Sequence, residues 1–237
     1  MQTLKPSSSM LSVAPKLCQP LKAVALGDSL VYGYGDPEKG GWVEQLRRWW
    51  MLPDSVGHVL YNLGVRGDRT QQISQRLEIE FRHRGEIRNQ VPELIILSVG
   101  VNDSPRLGSH KGKNYTDFPQ FETDIAALLD QAQQLCPVLF VGMVPVDETK
   151  MPFLDCLYYN HEDQYRYKEA ARLACTQQQI PYLDIFDQWM QHSPSWRNQR
   201  ITADGLHPNT LGYQDLLEAV LNWPELSKYH CQLDYQL

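Results

Sequence analysis

Short apolar segments alternate with longer amphipathic segments along most of the chain, and this alternation limits the folds that it can adopt. The apolar segments predict strands at 21–26, 59–63, 94–98, 138–142 and 182–185. The third of these is apolar almost throughout, as expected of a strand that is buried on both faces. Strands that alternate with helices are typical of an α/β fold, in which helices cover a parallel sheet.

The amphipathic segments predict the helices of this fold. The clearest apolar stripe consists of Phe121, Ile125, Leu128, Leu129, Ala132 and Leu135. Other helices are predicted at 42–51, after Thr70, at 162–178 and from about Asn209. Thr70 is predicted to cap its helix, since threonine is a preferred N-cap residue. The chain has no internal repeat, so 21–237 is predicted to form one domain after a disordered Ser/Pro-rich arm at 1–20.

The first predicted strand ends in Gly27-Asp28-Ser29-Leu30, which brings one serine to the edge of the sheet. Chemistry in open α/β sheets collects beyond the carboxyl ends of the strands. Ser29 is therefore a candidate nucleophile, although a Gly-Asp-Ser step on its own is far more often a serine that caps a turn. Adjacent residues of an extended segment point to opposite faces, so Asp28 is predicted to be a turn or cap residue rather than a base.

Three further fragments occur in an order that suits acyl transfer: two follow predicted strands, and the third lies in the loop before the last predicted helix. Asp204 and His207 have a spacing at which a carboxylate can hold one imidazole nitrogen while the other faces a serine. Asn102 follows the third predicted strand and carries an amide N–H suited to a developing oxyanion. Gly64, at the end of the second strand, offers a backbone N–H for the same role. Each fragment alone is also compatible with an ordinary turn.

Together these fragments resemble the four sequence blocks of the SGNH (GDSL-type) hydrolase family, over roughly 21–220. The resemblance implies a flavodoxin-like three-layer α/β/α sandwich with a five-stranded parallel sheet in the order 2-1-3-4-5. It also implies a serine hydrolase that needs no metal or cofactor, with Ser29 as nucleophile, His207 as base and Asp204 as the carboxylate that orients the base. The implied oxyanion hole consists of the backbone N–H groups of Ser29 and Gly64 and the side-chain amide of Asn102.

The expected substrate is a carboxylic ester with a short- to medium-chain acyl group, followed by lysophospholipids and acyl thioesters. Candidate substrate contacts are the aromatic residues Tyr32, Trp42 and Phe153. Two connections, 104–119 and 145–161, are longer than usual and leave the edge that carries the candidate nucleophile, so they are either binding loops or lids, or variable decoration. A carbohydrate O-acetylesterase is an alternative, because sugar esters also need aromatic platforms.

Composition argues against several other classes of protein. The formal net charge of −6 speaks against a nucleic-acid partner. No apolar run approaches the roughly 20 residues that a membrane-spanning helix needs. The five cysteines share no metal-ligand spacing and are predicted to be reduced thiols in a cytoplasmic protein.

Alternative readings of the motifs are weaker. Gly33-Tyr34-Gly35 resembles the start of a dinucleotide-binding loop, but Glu38 stands where the third glycine is needed. The sequence contains no G-x-S-x-G nucleophile elbow and no His-Glu-x-x-His zinc motif. A catalytically silent flavodoxin-like binding module is the remaining alternative from another class. Loss of one of the catalytic candidates would favour it, and all of them are present.

Overall fold

The computed structural model describes residues 20–53, 55–85 and 91–229, so nearly all of the predicted N-terminal arm lies outside the described residues. Within these ranges the strands are β1 (Lys22–Gly27), β2 (Val59–Gly64), β3 (Leu94–Ser98), β4 (Arg106–Leu107), β5 (Val138–Val141), β6 (Leu157–Tyr158) and β7 (Tyr182–Leu183). The five predicted strands correspond to β1, β2, β3, β5 and β7; the bounds of β3 are as predicted, and those of the other four differ by one or two residues. The two-residue strands β4 and β6 are additional.

The helices alternate with the strands as the amphipathic pattern predicts. They are α1 (Ser29–Tyr32), α2 (Gly41–Trp50), α3 (Thr70–Arg82), α4 (Phe118–Gln133), α5 (His161–Gln177), α6 (Ile185–Met190), α7 (Pro194–Asn198), α8 (Thr210–Leu221) and α9 (Pro224–Ser227). No helix in the described ranges is both long enough and apolar enough to cross a membrane.

The main sheet is parallel, with its strands in the order β2-β1-β3-β5-β7. This is the order 2-1-3-4-5 that the resemblance implies for the five predicted strands. The register places Gly27, the last residue of β1, between Gly64 at the end of β2 and Ser98 at the end of β3. The carboxyl ends of the three strands therefore lie side by side, and the loops that follow them leave from one place.

Helices cover both faces of the sheet. Helices α2 and α8 pack against each other, while α3, α4 and α5 form a separate row. Every residue of β1, β3 and β5 is buried between these layers, which explains why their sequences are continuously apolar instead of alternating. The result is a three-layer α/β/α sandwich.

The predicted cap at Thr70 is wrong by one residue. Arg69 is the N-cap of α3, and Thr70 is its first helical residue. Both the backbone N–H and the hydroxyl of Thr70 donate to Asp103 Oδ2, at 3.0 and 2.9 Å. A carboxylate from another loop thus satisfies the helix terminus, where a negative charge is favoured, and the threonine side chain has no capping role.

The two long connections are joined to each other. Strand β4 in the first pairs with β6 in the second as a small antiparallel ladder. The Arg106 guanidinium also binds both oxygens of Asp163, at 2.6 and 3.0 Å, which fastens the first connection to the start of α5. These segments have structure of their own, although their sequences show no periodicity.

Candidate active site

The predicted nucleophile, base and carboxylate meet beyond the carboxyl end of β1. Ser29 Oγ lies 2.9 Å from His207 Nε2, and His207 Nδ1 lies 2.7 Å from Asp204 Oδ2. The serine and the histidine are 178 residues apart in sequence, so only the fold brings them into contact. Only 4% of Ser29 and 3% of His207 are exposed. The three side chains form a continuous hydrogen-bonded chain of the kind that activates a hydroxyl.

Ser29 is presented by a sharp strand–helix junction. It is the first residue of the one-turn helix α1, and the cap is Asp28, whose Oδ1 accepts the Leu30 N–H at 2.8 Å. The helix ends at Gly33 in a left-handed conformation, with φ of 88°. At Gly27 a Cβ atom would sit 2.2 Å from the carbonyl oxygen of Ser98. The turn therefore requires glycine just before the Asp-Ser step, because β1 and β3 approach so closely there.

The loop that carries Asp204 fixes the position and charge of its carboxylate. Oδ1 accepts from the Thr202 hydroxyl at 2.6 Å and from the backbone N–H groups of Leu206 and His207 at 2.9 and 3.0 Å. Burial raises the pKa of this carboxyl, but these hydrogen bonds and the one to the His207 ring outweigh burial and hold the pKa well below its usual range. Asp204 is therefore ionised when it accepts the N–H of His207 Nδ1.

Two aromatic rings flank the imidazole of His207. The edge of the Tyr34 ring packs against it with centroids 4.6 Å apart, and the Phe153 ring lies at 5.8 Å. Phe153 belongs to the second long connection, so that connection reaches the base directly. The structure thus brings one of the three predicted substrate-contact residues next to the predicted catalytic side chains. The two rings also restrict the orientation of the imidazole and limit the access of water to it.

The structure contradicts the prediction that Gly64 donates to the oxyanion. Its backbone N–H is already donated to the side-chain oxygen of Asn62, at 3.0 Å. A Cβ atom at this position would lie 2.1 Å from the backbone nitrogen of Tyr32. Gly64 is therefore required for the close packing of α1 against β2, and its N–H is not available to a substrate.

The backbone N–H of Gly67, which the sequence analysis did not single out, is not engaged in this way. No acceptor in the described part of the chain takes its backbone N–H. The residue has φ of 83°, and a Cβ atom there would meet no other atom within 4 Å, so it borders open space. The next residue, Asp68, accepts a hydrogen bond from Asn102 through its carbonyl oxygen. The signal in the sequence is a second glycine three residues after Gly64.

The side-chain amide of Asn102 is held at both ends. Asn102 lies in the 3₁₀ turn Val101–Asp103 directly after β3 and is 7% exposed. Its Nδ2 donates to the Asp68 carbonyl at 3.0 Å, and its Oδ1 accepts the Tyr159 hydroxyl at 3.2 Å. In the described part of the chain Nδ2 makes no other hydrogen bond, so its second N–H is free to bind an oxyanion. The backbone N–H of Ser29 is likewise without an acceptor there.

The other two predicted substrate-contact residues, Tyr32 and Trp42, differ in exposure. Tyr32 is 54% exposed and, with Tyr34, lines a cleft of about 470 Å³. The prediction for Trp42 is wrong, since its side chain is fully buried on α2, the helix that packs against α8. Arg66 stacks its guanidinium 3.6 Å above the Tyr34 ring. The exposed face of the site therefore includes two tyrosines and one arginine.

One group of carboxylates in the described ranges is close enough to hold a cation, and it consists of Glu169, Asp184 and Asp187. The ammonium of Lys168 already lies 2.7–2.8 Å from an oxygen of each. Burial lowers the pKa of Lys168, but its hydrogen bonds to the three carboxylates outweigh burial and raise it. The buried lysine occupies the centre of the cluster and offsets part of its negative charge. The cluster links α5 to the start of α6, far along the chain from Ser29.

Solved structures with this fold include several esterases. The lipase/acylhydrolase from Enterococcus faecalis superposes with a TM-score of 0.70 at 18% identity, over 92% of this chain and 100% of that one. The acetyl xylan esterase AlAXEase gives 0.65 at 18% identity, over 85% and 98%. Axe2, an acetylxylan esterase from Geobacillus stearothermophilus, gives 0.62 at 14% identity, over 87% and 94%. At these identities the likeness establishes the fold.

Sequence comparison supplies the family. No curated protein sequence matches the chain significantly. The model of the GDSL-like Lipase/Acylhydrolase family matches residues 25–214, which include the nucleophile junction after β1 and the loop that carries Asp204 and His207. The match covers most of the chain and agrees with the sheet order of the fold. This chain belongs to the GDSL-like lipase/acylhydrolase family.

Proposed function

We propose that this protein hydrolyses carboxylic esters through an acyl-enzyme formed on Ser29. The observation that carries the proposal is the hydrogen-bonded chain from Ser29 Oγ to His207 Nε2, at 2.9 Å, and from His207 Nδ1 to Asp204 Oδ2, at 2.7 Å. A serine hydroxyl is a weak nucleophile until an adjacent base can take its proton. Membership of a lipase and acylhydrolase family supports ester hydrolysis as the reaction.

In the first half-reaction Ser29 Oγ attacks the acyl carbon while its proton passes to His207 Nε2. The ionised Asp204 stabilises the resulting imidazolium and keeps the proton on Nδ1, so that Nε2 is the atom that exchanges protons. His207 then gives its proton to the departing alcohol, and the acyl group remains on Ser29. Water repeats the sequence: its proton goes to His207, its oxygen attacks the acyl carbon, and the acid leaves as Ser29 recovers its proton.

We assign the oxyanion hole to the backbone N–H groups of Ser29 and Gly67 and to the second N–H of Asn102 Nδ2. None of these three N–H groups has an acceptor in the described part of the chain. Donors that stand ready before the reaction stabilise the tetrahedral intermediate without reorganisation, and each is worth about 10²–10³ in turnover. This assignment replaces Gly64, whose N–H is engaged by Asn62.

Short- to medium-chain acyl esters are the first substrate class that we propose. The cleft beside the site favours a second candidate, an acetylated carbohydrate. The cleft is lined by the exposed rings of Tyr32 and Tyr34 and by the polar side chains of Asp36, Glu44 and Asn62. Flat rings beside hydrogen-bonding groups suit a sugar ring better than an alkyl chain. Two acetylxylan esterases share the fold, which is compatible with this candidate.

The nucleophile is tested by covalent labelling with a fluorophosphonate and by hydrolysis of p-nitrophenyl acetate. Ser29→Ala should abolish both labelling and turnover. The matched control is Ser104→Ala, which removes another buried serine hydroxyl, one that donates to the Val101 carbonyl and not to His207. Labelling that persists in Ser29→Ala would refute the assignment of the nucleophile.

The substrate class is tested by comparing a chain-length series of p-nitrophenyl esters with acetylated xylan. For the carbohydrate candidate, Tyr32→Ala should raise KM for acetylated xylan several-fold and leave that for p-nitrophenyl acetate nearly unchanged. Tyr165→Ala is the control, because Tyr165 is 51% exposed, similar to Tyr32, but lies on α5. Equal effects of the two variants, or no activity on acetylated xylan, would leave the simple acyl esters as the substrate.

A further inference from the structure

We infer that Tyr159 is a positioning residue for the oxyanion donor Asn102, an inference that rests on the proposed esterase function. The Tyr159 hydroxyl lies 3.2 Å from Asn102 Oδ1, and both side chains are buried, with 2% and 7% exposed. Tyr159 belongs to the second long connection, which contributes no side chain to the triad itself. It therefore acts on the reaction through the amide that it contacts.

The two hydrogen bonds of Asn102 leave one orientation of its amide. The Asp68 carbonyl can only accept, so the end of the amide that faces it at 3.0 Å must be the N–H end. A flipped amide would put its single oxygen where Nδ2 now stands, so that this oxygen would face both the Asp68 carbonyl oxygen and the oxyanion in place of two N–H donors. The Tyr159 hydroxyl stabilises the productive orientation because it donates to Oδ1. Donation to Oδ1 also polarises the amide and strengthens its remaining N–H as a donor.

The surroundings of Tyr159 keep its hydroxyl protonated. Burial raises its pKa above the ordinary value for tyrosine, and the nearby carboxylates of Asp28, Asp103 and Asp204 raise it further. A neutral phenol in this position remains a hydrogen-bond donor over the whole range in which an esterase operates. The strength of the contact with Asn102 is therefore independent of pH.

The same connection reaches both halves of the site. The Phe153 ring lies 6.3 Å from the Tyr159 ring and 5.8 Å from the His207 ring. The Asp147 N–H donates to the Gly205 carbonyl in the acid–base loop at 2.8 Å. The connection thus contacts both the oxyanion side and the base side of the site. Through Tyr159, the position of this connection affects the oxyanion donor Asn102.

The test is Tyr159→Phe, which removes the hydroxyl and keeps the ring. Loss of one neutral hydrogen bond predicts a fall in kcat of about three- to tenfold, with KM unchanged within twofold. Rates are expressed per active site, titrated to completion with a fluorophosphonate, so that misfolded protein does not contribute. Tyr167→Phe is the control: it also removes a buried hydroxyl, one that donates to the Thr116 carbonyl, and its kcat should stay within twofold of the wild type.

A double-mutant cycle separates positioning from general support of the fold. In an Asn102→Ala background Tyr159→Phe should have no further effect on kcat, because the amide that it orients is gone. If the two substitutions reduce kcat independently, so that their effects multiply, the inference about Tyr159 is wrong. If Asn102→Ala itself leaves kcat unchanged, the oxyanion assignment in the proposed function fails instead.

Discussion

Asp28→Asn should change the pH dependence of stability, because Asp28 is a carboxyl buried with one oxygen unsatisfied. The residue is 1% exposed, its Oδ1 accepts the Leu30 N–H at 2.8 Å, and its Oδ2 has no hydrogen-bond partner in the described part of the chain. The pKa of Asp28 is raised from 3.8 to about 7: burial is the largest cause, the hydrogen bond from the Leu30 N–H opposes it, and the charges of Asp103 and Asp68 support it. The native state therefore holds a proton that the unfolded chain releases near pH 4.

The sign and size of the effect follow from linkage. Where the folded state binds more protons than the unfolded state, the free energy of unfolding falls as pH rises. One proton corresponds to about 1.4 kcal/mol for each pH unit between the two pKa values. From pH 5 to pH 8 the wild type should lose about 2–3 kcal/mol relative to Asp28→Asn, with the change levelling off above the folded-state pKa of about 7.

Urea unfolding followed by tryptophan fluorescence measures this difference at pH 5, 6, 7 and 8. The matched control is Asp36→Asn. Burial raises the pKa of Asp36, but hydrogen bonds from Thr210, Gly41 and Lys39 outweigh burial and bring it below the ordinary value. Asp36 is thus ionised in both states above pH 5, and its contribution is lost only in stronger acid, so the effect of its substitution should not vary over this range. If the difference in free energy of unfolding between the wild type and Asp28→Asn is also independent of pH, the reasoning is refuted.

Three further substitutions test the site and the fold. Asp204→Asn should lower kcat by about 10⁴-fold without unfolding the protein, as steady-state rates and circular dichroism would reveal, because an amide cannot stabilise the imidazolium. Gly64→Ala should lower the free energy of unfolding by about 1–3 kcal/mol in urea titrations, since its Cβ would lie 2.1 Å from the Tyr32 nitrogen; an unchanged midpoint would contradict this packing. Arg106→Leu should lower the free energy of unfolding by about 2 kcal/mol in the same assay, because it removes two hydrogen bonds to the buried Asp163. An unchanged free energy of unfolding would show that the pairing of β4 with β6 holds the first connection without this ion pair.

The main sheet could be predicted from sequence because its strands are buried on both faces. Such strands are continuous apolar runs, and β3 (Leu94–Ser98) has the bounds that the pattern predicts. The end of β7 was less predictable: the strand stops at Leu183 because Asp184 turns the chain and caps α6. Strands β4 and β6 have two residues each, too few for any periodicity, and their pairing depends on a contact between distant loops.

The candidate site was predictable where short-range sequence sets the geometry: Ser29 directly follows β1, and the three-residue spacing of Asp204 and His207 brings the carboxylate to the imidazole. Backbone donors were not, because sequence does not tell which glycine N–H is already engaged. The N–H of Gly64 is donated to the side chain of Asn62, only two residues away. For Trp42 a signal existed, since Val43, Leu46 and Trp50 share its apolar helix face. The contact between Tyr159 and Asn102 spans 57 residues and had no signal in the sequence.

The ladder between β4 and β6 limits how the substrate specificity of this enzyme can be changed by exchanging loops. Arg106 pairs with Tyr158 and Leu107 with Leu157, so the two long connections form one structural unit, although α4 and β5 separate them in the chain. An insertion in one connection would shift its pairing register against the other. The shift would reach the rings beside the base and the phenol beside the amide donor. Loops taken from a relative should therefore be transplanted as a pair, and a chimera with only one of them should lose turnover before it gains a new specificity.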